Sequence, residues 1–228
     1  MSDELPNEHS YHHGNVKQAL INAAMNLMES ESAEQLSLRR LAKEVGVSPS
    51  AVYNHFPDKQ ALMLAVKQRA FAAFNDYFDE ACTENEPEAA LVQMCHAYYD
   101  FSRKYPTRFA VLFSTAFPLP PKSDEESMRV IGKTVHRLRT VMMGICQKYR
   151  LRCTETKMVQ SCVLAWSQLH GLVLLRDSGS IQSAFSGDGW PSSCALKHEE
   201  DMAQFIQVLV DRLVAGIVHG QCEQQGIQ

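Results

Sequence analysis

The chain has 228 residues, 45% of them hydrophobic and 21% charged, with 22 basic against 26 acidic side chains and a formal net charge of −4. That apolar share can build a sizeable core and is ordinary for a globular protein of one or two domains. The charge balance excludes a strongly basic coat for nucleic acid and is too mild for an acidic, disordered tail.

The opening residues, MSDELPNEHSYHHGN, are polar and begin acidic. They have no basic start and no apolar stretch, so no signal peptide is expected. No run of ~18 consecutive apolar residues occurs, so no membrane partner is expected and the cytoplasm is the expected location. His9, His12 and His13 read as part of a solvated N-terminal arm rather than as metal ligands. The seven cysteines are odd in number and none is spaced C-x-x-C. They read as reduced thiols, several packed as small apolar groups. Redox sensing is the alternative, and it needs a thiolate-favouring environment.

Apolar residues recur with helical spacing almost throughout. Over 15–29 the stripe is Val16, Leu20, Ala24 and Leu27; over 58–82 it is Leu62, Val66, Ala70, Ala73, Phe74 and Tyr77. Over 88–104 it is Leu91, Met94, Cys95, Tyr98 and Phe101, with Pro87 suited to the first turn and Pro106 ending the helix. Residues 124–150 present Ile131, Val135, Leu138, Met142, Ile145 and Tyr149. Residues 155–176 present Val159, Cys162, Val163, Trp166, Leu169 and Val173. Residues 200–219 present Met202, Phe205, Leu209, Leu213 and Gly216, flanked by Ile206, Val210 and Ile217. The stretch 178–195, rich in Ser, Gly and Pro, reads as a long loop. No alternating strand is evident, and the fold class is all-α.

The informative segment is 36–64, LSLRRLAKEVGVSPSAVYNHFPDKQALML. Ser37 stands at an N-cap, Leu38, Leu41, Ala42 and Val45 make an apolar face, and Gly46 follows where a positive φ ends a helix. Ser48 caps a second, short helix with Pro49 at its first position, and Asp58 caps the next. Two helices joined by a short glycine turn form either a helix-turn-helix unit or a plain αα-hairpin. Small residues, Ser50 and Ala51, let the second helix approach a groove, and Tyr53, Asn54 and His55 offer hydrogen-bonding tips.

The pattern Ser37-Leu38-x-x-Leu41-Ala42-x-x-Val45-Gly46-Val47-Ser48, followed by Tyr53-x-His55-Phe56-x-x-Lys59-x-x-Leu62, resembles the TetR family of transcriptional regulators. The resemblance is strong over about residues 11–70, including the opening Tyr11-His12-His13-Gly14-Asn15, and weaker beyond. The chain departs from the family at Ser50 and at Glu29-Ser30-Glu31-Ser32, where a glycine is usual. The resemblance implies an arm over 1–10, a helix-turn-helix domain over 11–57, and a larger helical ligand-binding and dimerisation domain over 58–228. It implies that Ser37, Ser48, Tyr53, His55 and Lys59 hold DNA phosphates, with Tyr53 either at a phosphate or packed. It implies that Arg39, Arg40, Pro49, Ser50, Ala51 and Asn54 supply base or flanking phosphate contacts, and that Phe56 is core.

Trp166-Ser167-Gln168-Leu169-His170-Gly171 resembles a Trp-x-x-x-His-Gly signature of one TetR C-terminal subclass. Trp166 and His170 share a helix face, and Gly171 permits close helix approach. The pair reads either as packed core or as the lining of a ligand cavity. Residues 98–117 are aromatic-rich, so Tyr98, Phe101, Phe109 and Phe113, with Met142, Trp166 and His170, form the candidate effector site for an apolar or aromatic molecule. The expected protein is a homodimeric repressor on a pseudo-palindromic double-stranded operator, released by a small-molecule effector. The alternatives are a regulator with no such sensor, redox-responsive or constitutive, and an activator. No nucleophile elbow, metal triad, Walker loop or dinucleotide glycine motif appears, so no catalytic residue, metal or cofactor is expected. Residues 10–70 carry seven basic and five acidic groups, an excess of two, so DNA affinity must lean on helix-start amides, hydroxyls and a two-fold copy of the site.

Overall fold

The computed structural model describes residues 16–30, 35–187 and 189–222, the last three of these by backbone alone. The expected N-terminal arm, the three early histidines, residues 11–15 and Glu31-Ser32 lie outside the described residues. Ten α-helices and no strand are found among the described residues. They are α1 (Val16–Leu27), α2 (Leu38–Val45), α3 (Pro49–Tyr53), α4 (Lys59–Ala81) and α5 (Pro87–Lys104). Then come α6 (Pro106–Phe113), α7 (Glu125–Lys148), α8 (Glu155–Asp177), α9 (Ser180–Ala184) and α10 (Glu199–Cys222).

The chain divides into two compact units. Among the described residues, the first holds those up to Ala70 together with Thr107–Asp124, and the second holds Phe71–Pro106 and those from Glu125 onward. The division between these units falls inside α4, and the first unit takes back a later segment of chain.

In the first unit, α1 buries Val16, Leu20, Ile21, Ala24 and Met25, and packs on α2 and α3. Leu41, Val52 and Phe56 are buried with them. α6 is a helix that Pro106 begins as well as a place where α5 stops, because proline tolerates a first helical position. Lys67 of α4 is only 4% exposed. Its ammonium donates to the carbonyls of Ser114 (3.2 Å) and Phe117 (3.1 Å), tying α4 to the segment after α6. Burial lowers its pKa.

In the second unit, Glu86 caps α5 by accepting from the Ala89 amide, with Pro87 at the first helical position. α5 buries Leu91, Met94, Cys95, Tyr98 and Phe101. Phe101 sits among the rings of Phe74 (4.9 Å), Tyr105 (5.2 Å) and Tyr77 (5.6 Å), at the edge-on and tilted angles aromatic pairs favour. At Gly144 a Cβ would stand 2.9 Å from Cγ of Pro87, so the glycine allows α7 to lie close on α5. Two buried polar knots complete the packing. Asn75 donates to the Val130 carbonyl (2.7 Å) and accepts from Thr134 (2.8 Å). Arg176 donates to the Leu196 carbonyl (3.3 Å) and Glu199 (3.1 Å), and lies over the Tyr99 ring, whose hydroxyl also donates to Glu199 (2.7 Å).

Three of the apolar stripes expected from periodicity are only partly inward. In α7, Met142 and Ile145 are buried, whereas Val135 and Tyr149 are exposed. In α8, Met158, Cys162, Ala165, Leu169, Leu172 and Val173 face the unit, while Val159, Val163, Leu164, Trp166, Leu174 and Leu175 face outward. In α10, the buried line is Met202, Ile206 and Val210, and Phe205 and Val208 are exposed. α8 and α10 are therefore apolar on two faces. By length and composition both could cross a membrane, although no run of consecutive apolar residues announces this. The loop expected over 178–195 contains α9 and a 3-10 turn, Ser192–Ala195.

Candidate nucleic-acid interface

The interface is built by local rules in a short run of chain. Ser37 is extended (φ −136°) and its Oγ accepts from the Arg40 amide at 3.2 Å, satisfying one of the unpaired donors that open α2. α2 ends on Gly46 at φ 75°, with the Gly46 amide turned back to the carbonyls of Ala42 and Lys43. The Val47 amide donates to the Ala42 carbonyl at 2.9 Å. This glycine-closed helix end sets the direction of the turn. Ser48 then caps α3 by accepting from the Ala51 amide at 3.2 Å, with its hydroxyl 2.9 Å from that of Ser50. Val52 and Phe56 are buried and hold α3 down, and Lys17 of α1 lies 5.9 Å over the Phe56 ring. Asp58 accepts from the Ala61 amide at 2.8 Å and opens α4.

With those residues inward, the opposite side is laid open. Arg39, Arg40, Ser37, Ser48, Pro49, Ser50, Asn54 and His55 are exposed, and Ala51 and Lys59 are half-buried. Tyr53 is 56% exposed, so its ring is presented to solvent rather than packed. A concavity on α2 is lined by Ser37, Arg39, Arg40, Lys43 and Glu44. Hydroxyls, amide-rich helix starts and guanidinium groups therefore share one local structure, the set needed to hold phosphates and read base edges. Lys67, counted among the seven basic groups of 10–70, contributes nothing to that face because its charge is directed inward. No alternation of residue types marks a lysine as buried, and only the carbonyls of Ser114 and Phe117 reveal it.

The residues expected at an effector site are divided between the units. Phe109 and Phe113 pair with each other at 5.0 Å in the first unit. Tyr98, Phe101, Met142, Trp166 and His170 belong to the second. Phe101 and Met142 are each 1% exposed and serve the core. The other three are linked. The Tyr98 hydroxyl is 2.7 Å from Nδ1 of His170, and Nε1 of Trp166 donates to that hydroxyl at 3.4 Å. An indole N–H can only donate, so the Tyr98 oxygen accepts from Trp166, and the tautomer of His170 sets which way the Tyr98–His170 bond runs. Burial lowers the His170 pKa and raises that of the Tyr98 hydroxyl above the ordinary tyrosine range. Gly171 meets nothing within 4 Å of where a Cβ would stand, so it permits no close approach inside the chain.

Comparison with known proteins agrees with this geometry. Residues 20–66 match the family model described as bacterial regulatory proteins, tetR family. Residues 91–189 match the Tetracyclin repressor-like C-terminal domain. An uncharacterized HTH-type transcriptional regulator of Bacillus subtilis, YobS, is 28% identical over 93 residues, covering 41% of this chain and about half (49%) of that protein. The nucleoid occlusion factor SlmA of Alteromonas mediterranea is 22% identical over 201 residues, covering 86% of this chain and 96% of its own. A solved structure of a protein of unknown function from Rhodococcus sp. RHA1 superimposes with a TM-score of 0.71 at 21% identity, covering 92% of this chain and 100% of that one. The capped helix pair with its exposed polar face, and the two family models on successive parts of one chain, make this protein a member of the TetR family of DNA-binding transcriptional regulators.

Proposed function

We propose that the protein is a homodimeric repressor in the cytoplasm that leaves its operator when a small apolar or aromatic molecule binds in the second unit. The observation that carries the dimer is the pair of exposed apolar faces on α8 and α10: Val159, Val163 and Leu164 on one, Phe205 and Val208 on the other. Large exposed apolar patches mark a binding surface. A second copy is a better occupant than lipid, because each helix also buries a face within the unit and α8 carries Gln160, Ser161, Ser167 and Gln168 among its apolar residues. A two-fold axis through such a surface duplicates α3, so that two copies meet half-sites ~34–36 Å apart or a little further. In each copy Ser37, Ser48, Tyr53, His55 and Lys59 would hold phosphates. Arg39, Arg40, Pro49, Ser50, Ala51 and Asn54 would face base edges and flanking phosphates.

The effector is placed beside Tyr98, Trp166 and His170, where a hydrogen-bonded trio borders aromatic core. A ligand that prefers one conformation of the second unit would shift the whole equilibrium only by its difference in affinity for the two states. The connection is α4, one continuous helix that begins at the end of the helix-turn-helix and runs into the second unit. Operator selection from genomic DNA, followed by titration with apolar and aromatic compounds and by sizing at micromolar concentration, tests the reading. A dimer and ligand-dependent loss of operator affinity are expected. A monomer would remove the two-fold reader, and affinity indifferent to every compound would remove the sensor.

A further inference from the structure

Beyond Ala70, α4 is joined to α7 by a set of directional bonds that belongs to neither the DNA interface nor the effector site. Asn75 and Asp79 stand one turn apart on α4 and so share a face. Their partners on α7 advance along the chain in the same sense: Val130 and Thr134 for Asn75, Lys133 and Arg137 for Asp79. Asn75 is 4% exposed, and both ends of its amide are used. Its Nδ2 donates to the Val130 carbonyl at 2.7 Å, and its Oδ1 accepts from the Thr134 hydroxyl at 2.8 Å. Lys133 and Arg137 donate to the two carboxylate oxygens of Asp79. Arg137 also donates to the Phe78 carbonyl at 2.7 Å, which sets a cation at the negative end of the α4 dipole.

These contacts differ in what they resist. The Asp79 pairs are open to water, so each adds little energy and mainly favours one register. Asn75 is shut away, and a shift of α7 that breaks its bonds leaves amide groups buried and unpaired. The rings of Phe74 and Tyr77 against Phe101 of α5 impose no such direction, and packed helices of that kind tolerate small sliding. α7 is in turn seated closely on α5, the helix of Tyr98, where Gly144 meets Pro87. We propose that Asn75 and Thr134 are positioning residues that make α7 and the part of α4 beyond Ala70 move as one body. The placement of α7 then sets the placement of the helix that begins at the helix-turn-helix. This grip acts on DNA only if α4 is the connection proposed above, and it names the helix that holds that connection. Coupling between sites is reciprocal, so DNA held at the start of α4 must steady α7.

The test is hydrogen exchange of the full-length protein, free and bound to an operator duplex selected from genomic DNA. It needs no effector, so its failure is distinct from a failure to find one. In the unmodified protein the bound duplex should slow exchange at residues 130–137 by about fivefold or more, the lower end of ordinary coupling between sites. Asn75→Leu, similar in size and without polar groups, should remove most of that slowing. Thr134→Val, which loses only the hydroxyl bonded to Asn75, should do the same, and Thr134→Ser, which keeps a hydroxyl, should restore it. A variant that is merely less stable exchanges faster with and without DNA, so the ratio of the two rates reads the coupling. Thr134 is half-buried, so its valine variant keeps the test valid even where Asn75→Leu folds poorly. Bound DNA without slowing in the unmodified protein overturns the proposal, and so does undiminished slowing in Asn75→Leu or Thr134→Val.

Discussion

The hydroxyl of Tyr98 on α5 lies 2.7 Å from Nδ1 of His170 on α8, which holds a titratable histidine of the second unit against a buried phenol. Burial lowers its pKa below the ordinary 6.5, so the unfolded chain takes up the proton at a higher pH than the folded one. Where the unfolded state binds more protons, stability falls as pH falls. The contribution of His170 is therefore present above the unfolded value and is lost as pH drops through 6.5 toward the folded value. Thermal melts at pH 7.5 and 5.5 should show a drop that is smaller in His170→Gln. Equal drops in both proteins would show that His170 does not carry the pH dependence. Tyr98→Phe should cost about 1 kcal/mol at pH 7.5, the usual net loss of one hydrogen bond.

Lys67 offers a second test because its ammonium is the partner of two carbonyls. Lys67→Ala leaves the Ser114 and Phe117 oxygens without that donor, at a cost of about 1–3 kcal/mol for each group that water cannot reach. Hydrogen exchange over residues 107–124 should rise more than exchange in α1. Uniform change across the first unit would mean that Lys67 supports the whole unit rather than this segment.

These two residues also mark where sequence reading succeeds and where it stops. The caps at Ser37 and Ser48 and the glycine at 46 were legible because each depends on a residue's own backbone preference and on neighbours three or four positions away. The all-α class followed from the same short-range periodicity. Residues 98–117 looked like one aromatic cluster, yet Pro106 starts a new helix and sends Phe109 and Phe113 into the first unit, so nearness in sequence did not become one site. Lys67 was counted with the DNA-facing charges because burial of a lysine depends on carbonyls about fifty residues away. The stripes of α8 and α10 were read as single faces, whereas both helices are apolar on two sides. Only a fold distinguishes the inward line from the outward one.

The two mid-helix glycines, Gly144 and Gly171, should behave oppositely. A Cβ at 144 would meet Pro87 at 2.9 Å, so Gly144→Ala forces α7 and α5 apart and should cost about 1–3 kcal/mol. At 171 a Cβ meets nothing within the chain, and alanine is the better helix former by about 0.5–1 kcal/mol. Denaturant melts of Gly171→Ala should show no loss of stability. A loss would place another surface, such as that of a second copy, against Gly171.

The proposed DNA face separates into two kinds of residue, and mutation should separate them too. Lys59, at the start of α4, carries charge but no sequence information. Lys59→Ala should weaken binding to operator and random DNA alike and should lower the salt slope by about one per subunit, because each lost cation releases one counterion fewer. Tyr53→Ala should also weaken both, with little change in slope, since its exposed hydroxyl is uncharged. Asn54 is exposed at the C-cap of α3 with an amide suited to a base edge. Asn54→Ala should cost about 1–3 kcal/mol on the operator, much less on random DNA, and relax the preference at one position of each half-site. Binding titrations across a salt series, on the operator and on scrambled duplex, read out all three. If Asn54→Ala lowers both affinities equally, α3 does not present that side chain to a base. If all three variants bind as the unmodified protein does, the helix that meets DNA is not α3.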